Sequence, residues 1–379
     1  MPFSLVAQSV DLGLMQAQYS RPDVVFFPDG KSFAVASDKI VRVYSLQGKE
    51  IRQYKSYLNV KGLALSPDGS QLATAESDDG GNVNGLVKVV DVKTGRLIRQ
   101  FRHRAGYAEW LSFSPDGRYL ASVGDEQVVY VWDLKTGKQR ARLEDHNWGN
   151  LSSVHFSRDG QFLFSGGQYR DHEALIQAKK AEDRYYNKTH TVDVARRLQE
   201  EIEKWYDKFN KSWRVGELFV YSTTNWKLVR RITTPGAVHS IQSNRNSTEI
   251  TIVTNMDRQV VREEDGYLLQ VNPSDGTFKE IDRLPYMPDD FAGMDSDHRF
   301  YYRQNFLGYS VAPRRYVMST LDGVYVLDED LDEDHHFKID SETIQSPVPA
   351  ALSPDGNTLV LLKYNRQTGM GQAEIIQLD

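Results

Sequence analysis

Charged and titratable side chains are spread widely along this chain, and one stretch concentrates them. Asp328 to His336 reads DEDLDEDHH, with Asp328, Asp330, Asp332 and Asp334 spaced like the first ligands of a calcium loop. Such a loop needs glycine at its sixth position and a bidentate glutamate at its twelfth, and neither is present. The stretch reads as a solvated acidic turn, with a divalent-ion site as the alternative. His103, His146 and His155 lack the close spacing of a zinc set. Asp78-Asp79-Gly80-Gly81 lacks the following helix that a phosphate cradle requires. There is no Gly-x-Ser-x-Gly elbow and no His-Glu-x-x-His. The chain has no cysteine, which removes disulfides, thiolate metal sites and cysteine nucleophiles. The expectation is no catalytic residue, no metal and no cofactor.

Arg299, Arg303, Arg314 and Arg315 alternate with Phe300, Tyr301, Tyr302, Phe306 and Tyr316. Basic residues interleaved with aromatics can stack single-stranded nucleic acid. Two ordinary strands with arginine at the exposed positions give the same pattern. The net charge of −6 favours that second reading and argues against nucleic acid or an anionic membrane as the main partner. No apolar run approaches the roughly 18 residues that span a bilayer. Met1 to Ser20 lacks the basic start and apolar block of a signal peptide. The compartment is expected to be cytoplasmic if Met1 is the native start, and periplasmic or exported if a leader has been removed.

The elements that would position these groups are repeats. A turn recurs as Pro28-Asp29-Gly30, Ser66-Pro67-Asp68-Gly69, Ser114-Pro115-Asp116-Gly117, Ser157-Arg158-Asp159-Gly160 and Ser353-Pro354-Asp355-Gly356. Proline presets φ, Asp bonds its local backbone and glycine supplies a positive φ. Gly30, Gly69, Gly117 and Gly160 fall about 39 to 48 residues apart, the period of one four-stranded blade. Each turn lies between two apolar strands. Third strands follow at Ile40 to Tyr44, Leu86 to Val90 and Val128 to Trp132, near-continuously apolar or β-branched as doubly covered strands are. Thr94-Gly95, Thr136-Gly137, Gln47-Gly48 and Asp275-Gly276 then turn into fourth strands.

Those fourth strands are basic: Lys49 and Arg52; Arg96, Arg99, Arg102 and Arg104; Lys138, Arg140 and Arg142; Lys227, Arg230 and Arg231. Cations at an outer edge block strand addition; a rim for an anionic partner is the alternative. Between Gly160 and Gly356 the turn erodes. Ser243-Asn244-Arg245-Asn246 and Asp295-Ser296-Asp297-His298 are the candidates there. Joining Ser4 to Val10 with Ala373 to Leu378 closes a ring. Seven blades are expected, with six or eight as alternatives.

Asp171 to Trp213 interrupts this pattern. Ala195, Leu198, Ile202, Trp205 and Phe209 form a helical apolar stripe, and a weaker helix covers His172 to Tyr186. Asn187 to His190 would turn between them, with Thr191 capping the second helix. The expected layout is a propeller over 1–170, a helical hairpin over 171–213 and the rest of the propeller over 214–379. The stripe either zips the helices together or docks them on the rim. The hairpin is otherwise a partner-binding arm using Tyr185, Tyr186, Trp205, Tyr206 and Trp213.

The unit resembles the WD-repeat β-propeller family, best across Arg102 to Gly160 with its Trp132-Asp133 dipeptide; a broader bacterial lineage of degenerate propellers fits equally well. The resemblance implies that His103, Ser122, Asp125 and Trp132 form a buried hydrogen-bonded set that holds one blade together. It also implies an all-β closed propeller acting as a non-enzymatic scaffold for protein partners in a multiprotein complex. The alternative is a propeller enzyme or ligand-binding protein with its site at the central channel, since fold alone does not fix function.

Overall fold

The computed structural model describes residues 7–14, 22–77, 85–104, 106–146, 151–168, 171–186, 191–212, 215–243, 248–255, 266–284, 307–309, 315–319, 323–328, 333–339, 348–365 and 367–378. Their strands form seven four-stranded antiparallel sheets. Six of these blades run in simple chain order, inner strand to outer strand. The seventh takes its outer strand, Ala7–Leu14, from the start of the chain and pairs it with Met370–Gln377, Val10 opposite Ala373. Val10 and Leu12 enter a core with Ile375 and Val360 there. That pairing closes the ring.

The recurring turn folds for local reasons. In blade 3, Ser114 Oγ donates to Asp116 Oδ1 at 2.5 Å, the Arg118 amide donates to the same oxygen, and the Tyr119 amide donates to Ser114 Oγ at 2.8 Å. Gly117 supplies φ of 68°. Blades 2, 4 and 7 repeat this with Ser66, Ser157 and Ser353. The turns also stack around the ring. A Cβ placed on Gly69 would stand 2.9 Å from Cδ of Pro28 in the preceding blade.

Apolar side chains between neighbouring blades make the core. Leu120, Tyr130 and Trp132 of blade 3 pack with Ala75, Val89 and Phe101 of blade 2, and Val131 and Leu143 face Phe156 and Phe219 of blade 4. Phe101 and Trp132 stack with ring centroids 4.7 Å apart. The inter-blade layer of blades 2 and 3 is thus apolar and aromatic-rich, as suits a sheet-on-sheet interface.

Blade 6 corrects one sequence expectation. Its inner strand is Leu307–Tyr309 and its second strand Tyr316–Ser319. Residues 310–315 therefore link the inner and second strands of this blade in sequence, the place at which Asp295 to His298 were expected. Residues 310–315 read SVAPRR, without the Asp-Gly that marks the other turns. Asp295 to His298 themselves, Asn244 to Asn246 and Asp78 to Gly81 lie outside the described residues.

The outer edges hold a second correction. A β-bulge interrupts the outer pairing of blades 1, 2, 3, 4 and 6 at the same place, for instance between Val89 and Val90 and between Val220 and Tyr221. Bulges guard an edge by twisting it. Some of the cations expected to guard it are instead bound to the next blade. Arg99 donates from Nε to Leu134 O at 3.0 Å and from a terminal nitrogen to Lys135 O at 3.1 Å, and Arg230 donates to Ser274 O at 2.8 Å. Tyr54 and Gln8 make the corresponding bonds to Val92 O and Gln47 O. Outer-strand side chains of blades 7, 1, 2 and 4 therefore latch each of these blades to the third-to-fourth turn of its neighbour.

Candidate interaction surface

Antiparallel order places the turns within a blade alternately at two ends of the ring. First-to-second and third-to-fourth turns share one end, while second-to-third loops and blade-to-blade loops share the other. Two helices, α1 (His172–Tyr186) and α2 (Val192–Ser212), are inserted between the second and third strands of blade 4 and so project from the second end. The strands on either side pair without a break, Gly167 opposite Glu217 and Gln168 opposite Gly216.

The hairpin is built from its own contacts. Asp171 caps α1 by accepting from the Ala174 amide at 2.9 Å, and α2 begins directly after Thr191. At its base the Asp171 amide donates to Ser212 Oγ, and Lys208 pairs with Asp171 at 3.1 Å. Ala174, Ala178 and Ala181 form a buried small-residue face on α1, and Leu198 of α2 is buried. Ile202, Trp205 and Phe209 are half-buried. None of the propeller's core clusters includes a hairpin residue. The stripe zips the helices together, in the first of the expected ways.

Arg184, near the end of α1, pairs with Glu201 in the middle of α2. The first turns of α2 therefore run past α1, leaving Val192 86% and Val194 43% exposed, with Tyr186 77% exposed at the end of α1. Tyr185 and Tyr186 meet edge to face with centroids 5.0 Å apart. Trp205 lies under the ammonium groups of Lys204 and Lys208, at 5.8 and 5.4 Å from the ring centroid. Tyr206 faces Glu182; partial burial, then that carboxylate, push its hydroxyl above its ordinary value. Four of the five aromatic residues singled out from sequence are thus on the two helices; Trp213 lies outside the described residues.

The titratable groups suspected of chemistry prove to be framework. Trp132 Nε1 donates to Ser122 Oγ at 2.9 Å, and His103 Nε2 stands 2.8 Å from the same oxygen. Burial pushes His103 down to about 4. Asp125 is not joined to this set by a hydrogen bond. Its carboxylate accepts from the Tyr107 amide instead, while Glu126 stands 3.8 Å from His103 Nδ1. The chain between His103 and Tyr107 brings the Tyr107 amide to Asp125, so the fourth member of the expected set belongs to the loop.

A second copy of the set went unread in the sequence. His146 Nε2 lies 2.6 Å from Ser165 Oγ, and Tyr221 occupies the place of Trp132. The two His–Ser pairs share a separation of 19 residues, which is the signal that would have found it. Burial, with Arg231 nearby, holds His146 at about 3. Blade 2 fills the corresponding site with charge: Glu76 accepts from Ser56 at 2.6 Å and from Thr74 at 2.8 Å, and Lys88 pairs with it.

Inner-strand polar groups are spent between blades. The Leu63 amide donates to Asp23 Oδ2 at 2.7 Å, Phe156 N donates to Ser112 Oγ, and His155 Nε2 accepts from the Ser243 amide at 3.2 Å. Burial pushes His155 down to about 4 and Asp23 up to about 6. Arg315, read as an exposed cation, is buried, paired with Asp334 at 2.8 Å and donating to Gly356 O. Tyr316 beside it is in the core. Asp328 and Asp334 flank the third-to-fourth turn of blade 6; Asp330 and Asp332 lie outside the described residues. Among the described residues no group of three or more His, Asp or Glu is placed to hold a metal, and no helix is long and apolar enough to cross a membrane.

The WD domain, G-beta repeat family matches residues 48–81, 95–133 and 137–174. Each match starts at the third-to-fourth turn of one blade and runs into the next, the last ending in α1, so the sequence repeat straddles two blades. WD repeat-containing protein 1 of Gallus gallus is 32% identical over 144 residues, 36% of this chain and 22% of that protein. WD repeat-containing protein SL1-17 of Schistosoma mansoni is 34% identical over 119 residues, 30% of this chain and 37% of that one. Protein groucho of Drosophila melanogaster is 28% identical over 212 residues, 53% of this chain and 27% of that one. The chain spans well under half the length of each relative. A chain in the crystal structure of the mitotic checkpoint complex superposes with a TM-score of 0.63 at 15% identity, covering 98% of this chain and 91% of its own length.

Proposed function

This chain is a β-propeller that carries WD repeats, and on that premise we propose that it is a non-enzymatic platform binding protein partners through the faces of the ring and through the α1–α2 hairpin. The carrying observation is the hairpin's exposed apolar end. Tyr186, Val192 and Val194 stand in solvent on a projection that contributes no residue to the propeller's core clusters. Large apolar groups gathered on one projection mark contact sites more often than isolated surface residues do. Tyr185, Trp205, Tyr206 and Trp213 extend the proposed contact surface. The platform reading is further supported by the framework use of His103, His146, His155 and Asp23, each held in blade-to-blade or within-blade hydrogen bonds. A relative fold found in an assembly, the mitotic checkpoint complex, is in keeping with it.

Surface substitution tests the reading. Tyr186→Ser with Val192→Ser should leave the melting temperature unchanged, because both side chains are exposed, and should deplete the partners co-purified from native cells. Undiminished partners would sink the hairpin's role.

A further inference from the structure

Outer strands differ in charge around the ring. In blades 1–4 they read EIRQYK, LIRQFR, KQRARL and LVRRITTP, and Glu50 is the sole carboxylate within them. In blades 5–7 they read FKEIDRL, EDHHFK and AQSVDLGL, with acidic residues in each. The whole chain carries −6. Half of the circumference thus opposes the overall balance.

Edge protection and internal bonding do not use this charge up. Bulges already disrupt the edges. Arg99, Arg142 and Arg231 are engaged with Leu134 O, Glu144 and Glu217. What remains on blades 1–3 is Lys55, Arg96, Arg102, Arg104, Lys138 and Arg140, all exposed, their side chains without a hydrogen bond or ion pair among the described residues. Two large aliphatics share these strands, Ile51 at 55% and Leu97 at 50% exposure.

That pairing of chemistries selects the occupant. A phosphate backbone would use the cations but leave the aliphatics in water, and single-stranded bases need aromatic platforms. The aromatics of these strands are turned inward: Tyr54 is bonded to Val92 O and Phe101 is in the core. An acidic polypeptide with aliphatic side chains satisfies both sets of groups, the carboxylates meeting arginine forks and the aliphatics covering Ile51 and Leu97. We infer that the outer edges of blades 1–3 dock an acidic protein segment carrying aliphatic side chains. Side chains, more than backbone pairing, mediate the contact, because the bulges interrupt the ladder. The surface is independent of the hairpin.

Fluorescence anisotropy with a labelled synthetic peptide of repeated Glu-Leu-Asp-Ser tests this on the full chain. The peptide should bind at low salt, about tenfold more weakly to Arg102→Glu/Arg140→Glu, and measurably more weakly to Ile51→Ser/Leu97→Ser. Melting temperatures of both variants should match the parent, and deleting the hairpin should leave peptide affinity unchanged. Absent binding, or equal binding to the charge-reversed chain, overturns the proposal. A glutamate-serine peptide or a single-stranded oligonucleotide binding as tightly would also overturn it, by showing that the aliphatics play no part. Dimers at low salt that charge reversal abolishes, with no peptide bound, would assign the surface to a second copy instead.

Discussion

The indole of Trp226 meets the ring of Tyr119 edge-on, centroids 5.1 Å apart, while its own backbone stands at φ 59°. Trp226 occupies the turn position that is glycine in other blades: its amide donates to Ser222 O as that of Gly95 does to Asp91 O and Gly137 to Asp133 O. At the junction of blades 2 and 3 an arginine, Arg99, fills the space over Gly137. Blade 3 has Ala141 at the position matching Arg99, opposite Val131 as Arg99 is opposite Val89. Trp226 fills the room that the small residue leaves, and its burial between Tyr119 and Phe156 offsets a left-handed conformation costly for a bulky residue. Trp226→Ala should therefore cost about 3–5 kcal/mol. Trp226→Gly should cost about 1 kcal/mol less, because glycine accepts the positive φ. Urea denaturation of both variants reads the difference.

Ser122 sits between two buried groups. Ser122→Ala removes the acceptor of Trp132 Nε1 and the partner of His103 Nε2 together, at about 2–4 kcal/mol. Ser165→Ala strips His146 of its partner and should cost about half as much. Equal losses would show that the tryptophan bond adds nothing.

Acid should destabilise the chain while most of its carboxylates are still charged. His103 and His155 are held at about 4 and His146 at about 3, against about 6.5 when unfolded. The folded state binds fewer protons than the unfolded one across that range, so this stability is complete above pH 6.5 and is lost as pH falls toward 4. Asp23, pushed up to about 6, works in reverse: its contribution is present at low pH and lost as pH rises through 6. The histidines outnumber it, so stability near pH 5 should fall by about 3 kcal/mol per pH unit of acidification. His155→Asn should roughly halve that slope. Denaturant midpoints between pH 4 and 7 check the sign.

Arginines on adjacent outer strands should behave differently. Arg99→Ala deprives the Leu134 and Lys135 carbonyls of their donor, costing about 1–2 kcal/mol. Arg140→Ala, at an exposed residue without a partner, should stay within about 0.5 kcal/mol of the parent. Thermal melts of the two proteins suffice.

The ring was legible where its chemistry is local. Ser114, Asp116 and Gly117 act within one turn, so their types and order announce the fold, and ring closure followed from an unpartnered strand at each end. Blades 5 and 6 were harder because the segments linking their first two strands lack Asp-Gly, which placed the expected anchor of blade 6 upstream of residues 310–315. The latches of Arg99 and Arg230 join residues about 35 to 44 positions apart, a spacing that no local pattern encodes. His146 and Ser165 escaped notice because Tyr221 had erased the tryptophan that marks the set. The hairpin was read correctly from its 3.6-residue period, but its exposed end depends on how far α2 overhangs α1, which only the Arg184–Glu201 pairing reveals.

The platform account is tested most directly by affinity purification and mass spectrometry from native cells with residues 171–213 replaced by a short Asn-Gly turn. Gln168 and Gly216 are already paired neighbours, so the propeller should still fold, with an unchanged melting transition. The account predicts that hairpin-dependent partners vanish from the purified complex. An intact set of partners on the folded, hairpin-less chain would contradict it.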